Sequence, residues 1–326
     1  MPVIKKIFSL LLRFSISGLL LFILSRKIDY RSTFKVLGTI GPFYLISAAI
    51  AFLIIYVVVY YRWKMLLDAQ GLHFPPKLLL GSFCGGIFFN LFLPSTIGGD
   101  IARSLDLGAH AKSKSIVVAS VLLDRLSGFV GLTLLAIVSL IFGHKYITEP
   151  SVYVAVFIMA FLLGSLLLIL FNERVYGFIN SSMRKRQGLK EKLRRLHAEI
   201  YFFRSKPAVL YLNFFYSVAI QAGSAFVSYL LLRSLHCDIK IIYPLIFTPL
   251  VTLITVLPIA IGGLGLRDAS SVFFYAKAGV GKDIALGQSL LNFALIVFVG
   301  LIAGILYVST LHYRRIQPDK AGAAPR

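Results

Sequence analysis

Acidic residues are scarce in this sequence, with 13 Asp and Glu against 34 Lys and Arg over 326 residues, a formal net charge of +21. In a soluble chain that excess would suggest nucleic acid, but no recognition motif or aromatic-basic sheet pattern accompanies it, and no nucleic-acid partner is expected. Cysteine is scarcer still: Cys84 lies inside an apolar stretch and Cys237 in a short loop, which excludes a disulfide framework. The six histidines, at 73, 110, 144, 197, 236 and 312, form no i,i+4 pair and have no cysteine at ligand spacing, so no metal site is expected. No Ser-His-Asp, Cys-His or paired-carboxylate constellation appears either, so neither an enzyme nor a bound cofactor is expected.

What the sequence has instead is apolar length. Hydrophobic residues make up 58% of the chain and the mean hydropathy is +0.85, too apolar for an ordinary soluble domain. Runs near 7–25, 43–61, 116–142, 151–171, 208–232 and 284–309 are each long enough for a helix to cross hydrocarbon. The class is therefore an all-α polytopic membrane protein, and the charge excess reads as topology and contact with anionic headgroups. The first run follows Lys5 and Lys6, contains Arg13 and lacks a small-x-small cleavage site, so it reads as an uncleaved span.

Two shorter runs, 78–93 and 242–257, each end in one template. L-P-S-T-I-G-G-D-I-A-R at 93–103 and L-P-I-A-I-G-G-L-G-L-R at 257–267 share Leu, Pro, Ile, Gly, Gly and Arg at matching positions, 164 residues apart. Shifting 43, 78 and 116 by 164 gives 207, 242 and 280, within a few residues of later run starts, while 7 shifts to 171, where a later run ends, so the duplication extends well beyond the eleven-residue template. The expected units are a first repeat at 1–145, a second at 146–312 carrying a basic loop at 172–207, and a disordered tail at 313–326.

Basic residues set the topology. The loop 172–207 holds ten Lys and Arg, which the positive-inside rule places in the cytoplasm. That orientation follows from a cytoplasmic N-terminus only if each short run dips into the bilayer and returns. The expectation is thus six full spans and two re-entrant segments, with three spans and one re-entrant hairpin per half. Inside segments then hold 22 Lys and Arg and outside segments 10, although the basic loop after the first span must lie outside. An odd number of crossings per half inverts the two halves. The expected location is the cell membrane, with both termini cytoplasmic. Within the basic loop, Leu189, Leu193, Leu196 and Ile200 follow helical spacing and suggest a juxtamembrane amphipathic helix.

The template's residue types carry a physical meaning. Proline breaks the helix, and paired glycines allow positive φ and close backbone approach. Irregular backbone at membrane depth is tolerated only against protein or a water-filled cavity. A helix restarting there aims free N–H groups and its positive dipole end at that cavity. Gly98, Gly99, Gly262 and Gly263 are the expected backbone donors, and Arg103 and Arg267 the expected holders of a phosphate or carboxylate. Asp100 is expected to cap the first restarted helix, with Leu264 in that place in the second. A single copy reads equally well as a tight connection with a snorkelling arginine; two copies on opposite faces favour paired broken helices around a central site.

A second feature is L-L-D-R-L-S-G at 122–128, near the start of the third full span. An Asp-Arg pair entering hydrocarbon is costly and faces the bundle interior. Successive helical residues point in different directions, so Asp124 and Arg125 are expected to have different partners: Arg103, Arg267 or Arg13 for Asp124, and a substrate phosphate for Arg125. A structural salt bridge near the interface is the equal alternative. Asn90, Gln221, Gln288 and Asn292 read foremost as interhelical hydrogen bonds, with Asn90 also a candidate substrate contact.

The run N-L-F-L-P-S-T-I-G-G-D-I-A-R, the L-L-D-R-L-S-G segment and L-P-I-A-I-G-G-L-G-L-R-D followed by A-G-V together resemble the flippase-like family, also described as the transmembrane region of lysylphosphatidylglycerol synthase, over about residues 5 to 312. The resemblance implies a lipid-handling membrane domain; in the multiple peptide resistance factor a similar domain moves aminoacylated phosphatidylglycerol between leaflets. This sequence differs in having Ser95-Thr96 where many relatives carry glycine, and it stops at Arg326 where the synthases continue into a soluble transferase domain, so aminoacyl transfer is not expected. The expected function is translocation of a lipid with an anionic headgroup, a phospholipid or a polyprenyl-phosphate-linked lipid. The alternatives are an accessory subunit presenting lipid-linked substrate to a separate glycosyl- or aminoacyl-transferase, and an enzyme using Asp100 or Asp124 in headgroup transfer.

Overall fold

The computed structural model describes residues 30–93, 98–111, 113–147, 149–171, 201–256, 263 and 265–316. Among them run ten α-helices: α1 Tyr30–Gly38, α2 Pro42–Ala69, α3 Pro76–Phe92, α4 Gly98–Gly108, α5 Lys114–Gly143, α6 Pro150–Phe171, α7 Pro207–Ser234, α8 Ile242–Val256, α9 Leu266–Ala276 and α10 Lys282–Ile316, with a short 3-10 turn at Phe202–Ser205. The expected span at 7–25, the amphipathic segment at 189–200 and the tail from 317 lie outside the described residues. The loop expected after the first span contains α1, whose Ser32 hydroxyl donates to Asp283 of α10 at 3.1 Å.

Helices α2, α5, α6, α7 and α10 are long and apolar enough to cross a membrane, and the chain is a multi-pass all-helical membrane protein. Prolines open α2, α3 and α7, where a missing N–H costs nothing and the fixed φ favours the first turn. On α2, Phe43, Ile46, Ile50, Ile54, Val57 and Tyr61 recur every three or four residues and stay exposed, an apolar stripe suited to lipid. The opposite face buries Ala48 against Val227 and Leu231 of α7, forming the most extensive helix pair among the described residues.

The short helices α3 and α8 have 17 and 15 residues. At 1.5 Å per residue they reach about 25 and 22 Å, less than the roughly 30 Å of hydrocarbon. Each folds back on its successor as an antiparallel hairpin. In the first, Asn90 meets Gly99, Gly86 meets Arg103, and Ser82 donates to Asp106 at 2.6 Å. In the second, Thr255 lies against Gly263 and Thr248 reaches Tyr275. The order long, short, short, long occurs twice, with helix starts recurring 165 to 168 residues later (Pro42 and Pro207, Pro76 and Ile242, Gly98 and Leu266, Lys114 and Lys282). The halves interlock: α3 packs along α10, and α8 along α5.

Candidate functional site

Five charged side chains from α2, α4 and α5 form an alternating chain, Arg62–Asp124–Arg103–Asp100–Arg125. Arg62 Nη2 lies 2.8 Å from Asp124 Oδ1, and Arg103 Nη2 lies 2.9 Å from Asp124 Oδ2 and 2.9 Å from Asp100 Oδ1. Arg125 Nε donates to Asp100 Oδ2. Arg62 Nη1 also donates to Ser217 of α7 at 3.0 Å, so four helices meet at the chain. Asp124, Arg62 and Arg103 are only 3%, 5% and 6% exposed. Charges buried so deeply persist only when paired, which accounts for the alternation of sign. Among these five side chains, three guanidiniums stand against two carboxylates, a sum of one positive charge. The Arg103 guanidinium stacks 4.7 Å from the centre of the Trp63 ring, whose Nε1 donates to Ser120 at 3.2 Å. Arg103 Nε is buried without a hydrogen-bond partner. This cluster lines a cavity of about 270 Å³.

The second half builds a different site. Arg267 Nη2 lies 3.3 Å from Asp268 Oδ1, and its Nε donates to Ser289 Oγ at 3.1 Å. Asp268 also accepts from Ser289 Oγ at 2.6 Å and from the Gly265 N–H at 3.1 Å. The Phe293 ring lies 5.0 Å from the Arg267 guanidinium. Alongside runs a neutral relay: Ser271 donates to Gln288 at 2.9 Å, Gln288 donates to Ser228 at 2.8 Å, and Ser228 shares a 2.8 Å bond with the Tyr275 hydroxyl. Arg267 and this relay line a cavity of about 650 Å³. Tyr56, Ile87, Asn90, Thr252 and Val256 line both cavities, so the two share a wall.

The structure therefore gathers Asn90, Gly99, Asp100, Arg103, Asp124 and Arg125 around the smaller cavity and puts Arg267 at the larger one. Asp124 takes Arg62 and Arg103 as partners and Arg125 takes Asp100, so the two neighbours do divide. They sit about 15 Å along α5 rather than at its entrance. Gly262 lies outside the described residues.

The template glycines differ between the two copies. The first helix restarts at Gly98 itself, and neither Gly98 nor Gly99 has positive φ; a Cβ on Gly99 would run into the Gly86 carbonyl oxygen, and one on Gly98 would lie 2.5 Å from Leu93 Cβ. Close approach of the hairpin arms, reinforced by the Gly99 N–H donating to Asn90 Oδ1 at 3.3 Å, is their role. In the second copy Gly263 has φ +74 and Gly265 φ +76, and the helix restarts only at Leu266. Asp100 binds Arg103 and Arg125, and it is Asp268 that receives a backbone N–H at its helix start.

Arg62 and Asp268 were missed by sequence reasoning. Arg62 follows the apolar run ending at Tyr61 and reads as loop, yet α2 continues to Ala69 and buries Arg62, Trp63, Leu66 and Leu67. The apolar spacing of Trp63, Leu66 and Leu67 was the available signal.

Fold and site together define a multi-pass helical membrane protein with buried charge around two adjoining cavities. The sequence profile of the lysylphosphatidylglycerol synthase transmembrane region matches residues 10–304, and the chain belongs to that family. Two relatives, each described as a UPF0104 membrane protein, come from Methanothermobacter thermautotrophicus. One is 26% identical, covering 92% of this chain and 93% of the relative; the other is 24% identical, covering 80% and 85%.

Proposed function

We propose that the protein is a flippase for a lipid with an anionic headgroup, a phospholipid or a polyprenyl-phosphate-linked lipid, and that it carries out no covalent chemistry. The observation that carries this reading is the unpartnered, buried Nε of Arg103 in a charge chain that keeps one net positive charge beside a cavity. A phosphate would supply both the missing acceptor and the missing negative charge. Family membership supports a lipid-related role.

In this reading the hairpins α3–α4 and α8–α9 are re-entrant and enter from opposite faces, the halves 1–145 and 146–312 being an inverted repeat in the cell membrane with cytoplasmic termini. Support comes from the short arms, the antiparallel folding of each hairpin, and the reciprocal packing of α3 on α10 and α8 on α5. Broken helices paired across a pseudo-two-fold are the transporter pattern for a site near the bilayer midplane. Arg103 and Arg267 then hold phosphate in alternately open states, with Gly99 lining the smaller cavity beside Arg103.

Purified protein in vesicles carrying a fluorescent anionic lipid is expected to speed transbilayer exchange, read as the fraction quenched by a membrane-impermeant reductant. A rate no faster than protein-free vesicles, for any headgroup tried, would favour an accessory subunit serving a separate lipid-modifying transferase.

A further inference from the structure

We infer that the headgroup carried is uncharged beyond its phosphate and bears hydroxyl groups, as a polyol or a sugar does, and is not an aminoacyl or other cationic group; this rests on the flippase reading above and specifies its substrate class. The distribution of acidic groups is the first ground. Of the described residues lining the two cavities, Asp100 and Asp124 are the acidic ones, and each is already bound by two arginines. Asp268, beside the larger cavity, is paired with Arg267 and accepts two further hydrogen bonds. The break segments 94–97, 257–262 and Leu264 contain no charged residue in their sequence. An ammonium entering either cavity would leave water without meeting an unengaged carboxylate among the described residues, and at the smaller one it would face three guanidiniums against two carboxylates.

The second ground is what the larger cavity offers instead. Its polar wall is neutral apart from the paired Arg267: the Ser271–Gln288–Ser228–Tyr275 relay, with Asn292 beside it. Hydroxyls and carboxamides both donate and accept, which suits polyol or sugar hydroxyls, themselves donors and acceptors. A headgroup spanning the shared wall at Asn90 and Tyr56 places its phosphate at Arg103 and its hydroxyls on this relay.

The test uses tail-labelled phosphatidylglycerol, a polyprenyl-phosphate hexose and lysyl-phosphatidylglycerol in otherwise identical vesicles. At least one of the first two is expected to flip tenfold or more faster than the lysyl lipid, the pair distinguishing glycerol from sugar. Asn292→Asp, which puts a carboxylate on the cavity wall, is expected to narrow that ratio at least fivefold, and Gln288→Leu to slow the preferred lipid about tenfold. Lysyl-phosphatidylglycerol flipping as fast as the others, or a ratio unmoved by Asn292→Asp, would overturn the inference while leaving the flippase reading intact. No flipping of any of the three would remove the flippase reading itself.

Discussion

Asp124→Asn is expected to destabilise the protein by about 3–5 kcal/mol, the range for removing one member of a buried ion pair. The substitution is nearly isosteric, so the effect is electrostatic. Arg62 and Arg103 lose their common carboxylate, and the cluster moves from one net positive charge to two, with three guanidiniums facing Asp100 alone. Melting of the detergent-solubilised protein, followed by loss of the monodisperse peak, should fall by roughly 6 °C or more. Adding Arg62→Met to Asp124→Asn returns the cluster to one net charge (Arg103 and Arg125 against Asp100) and is expected to recover at least half of the loss. A melting point within two degrees or so of wild type for the single variant would contradict a charge-balanced cluster.

Arg103→Ala should behave in the opposite sense: activity falls far more than stability. Asp124 keeps Arg62 and Asp100 keeps Arg125, so both carboxylates remain paired and the cluster becomes neutral. The fold loses the stacking on Trp63 but gains no unpaired charge. The phosphate, however, loses the net positive charge and the unsatisfied donor proposed to receive it. A charge-assisted hydrogen bond contributes about 1.5–3 kcal/mol, so flipping should fall roughly 10- to 100-fold. Arg267→Ala is expected to lose activity and stability together, because Asp268 stays buried with only the Gly265 N–H and the Ser289 hydroxyl as partners. Flipping by Arg103→Ala at the wild-type rate would remove Arg103 from the headgroup site.

Much of the architecture was legible because it rests on length and periodicity. Apolar runs gave the long helices, and the start of the duplicated template marks where α3 and α8 end. The partnerships within the site were less legible, since they depend on which helix faces which. Arg62 lies just past an apolar run, where a basic residue ordinarily marks the water boundary; the helix continues and packing against α5 and α7 turns it inward. Asp268 was visible beside Arg267, but adjacent helical residues usually diverge, so their pairing was not anticipated. The template glycines were read as allowing positive φ and close approach and as backbone donors; Gly99 packs against Gly86 and gives its N–H to Asn90, whereas Gly263 has the positive φ and packs against Thr255. Asp100 and Leu264 made the halves look unequal in charge; Asp268 supplies the second carboxylate from a different register.

In the proposed reading the hairpins α3–α4 and α8–α9 enter the membrane from opposite faces and give one lipid path access from each side. Single cysteines at Ala109, exposed just after α4, and Ala276, exposed at the end of α9, address this directly when Cys84 and Cys237 are replaced by serine. In intact cells an impermeant maleimide should label Ala276→Cys and spare Ala109→Cys, with the pattern reversed in inside-out vesicles. Labelling of both positions from the same face would contradict the inverted arrangement and the alternating access built on it.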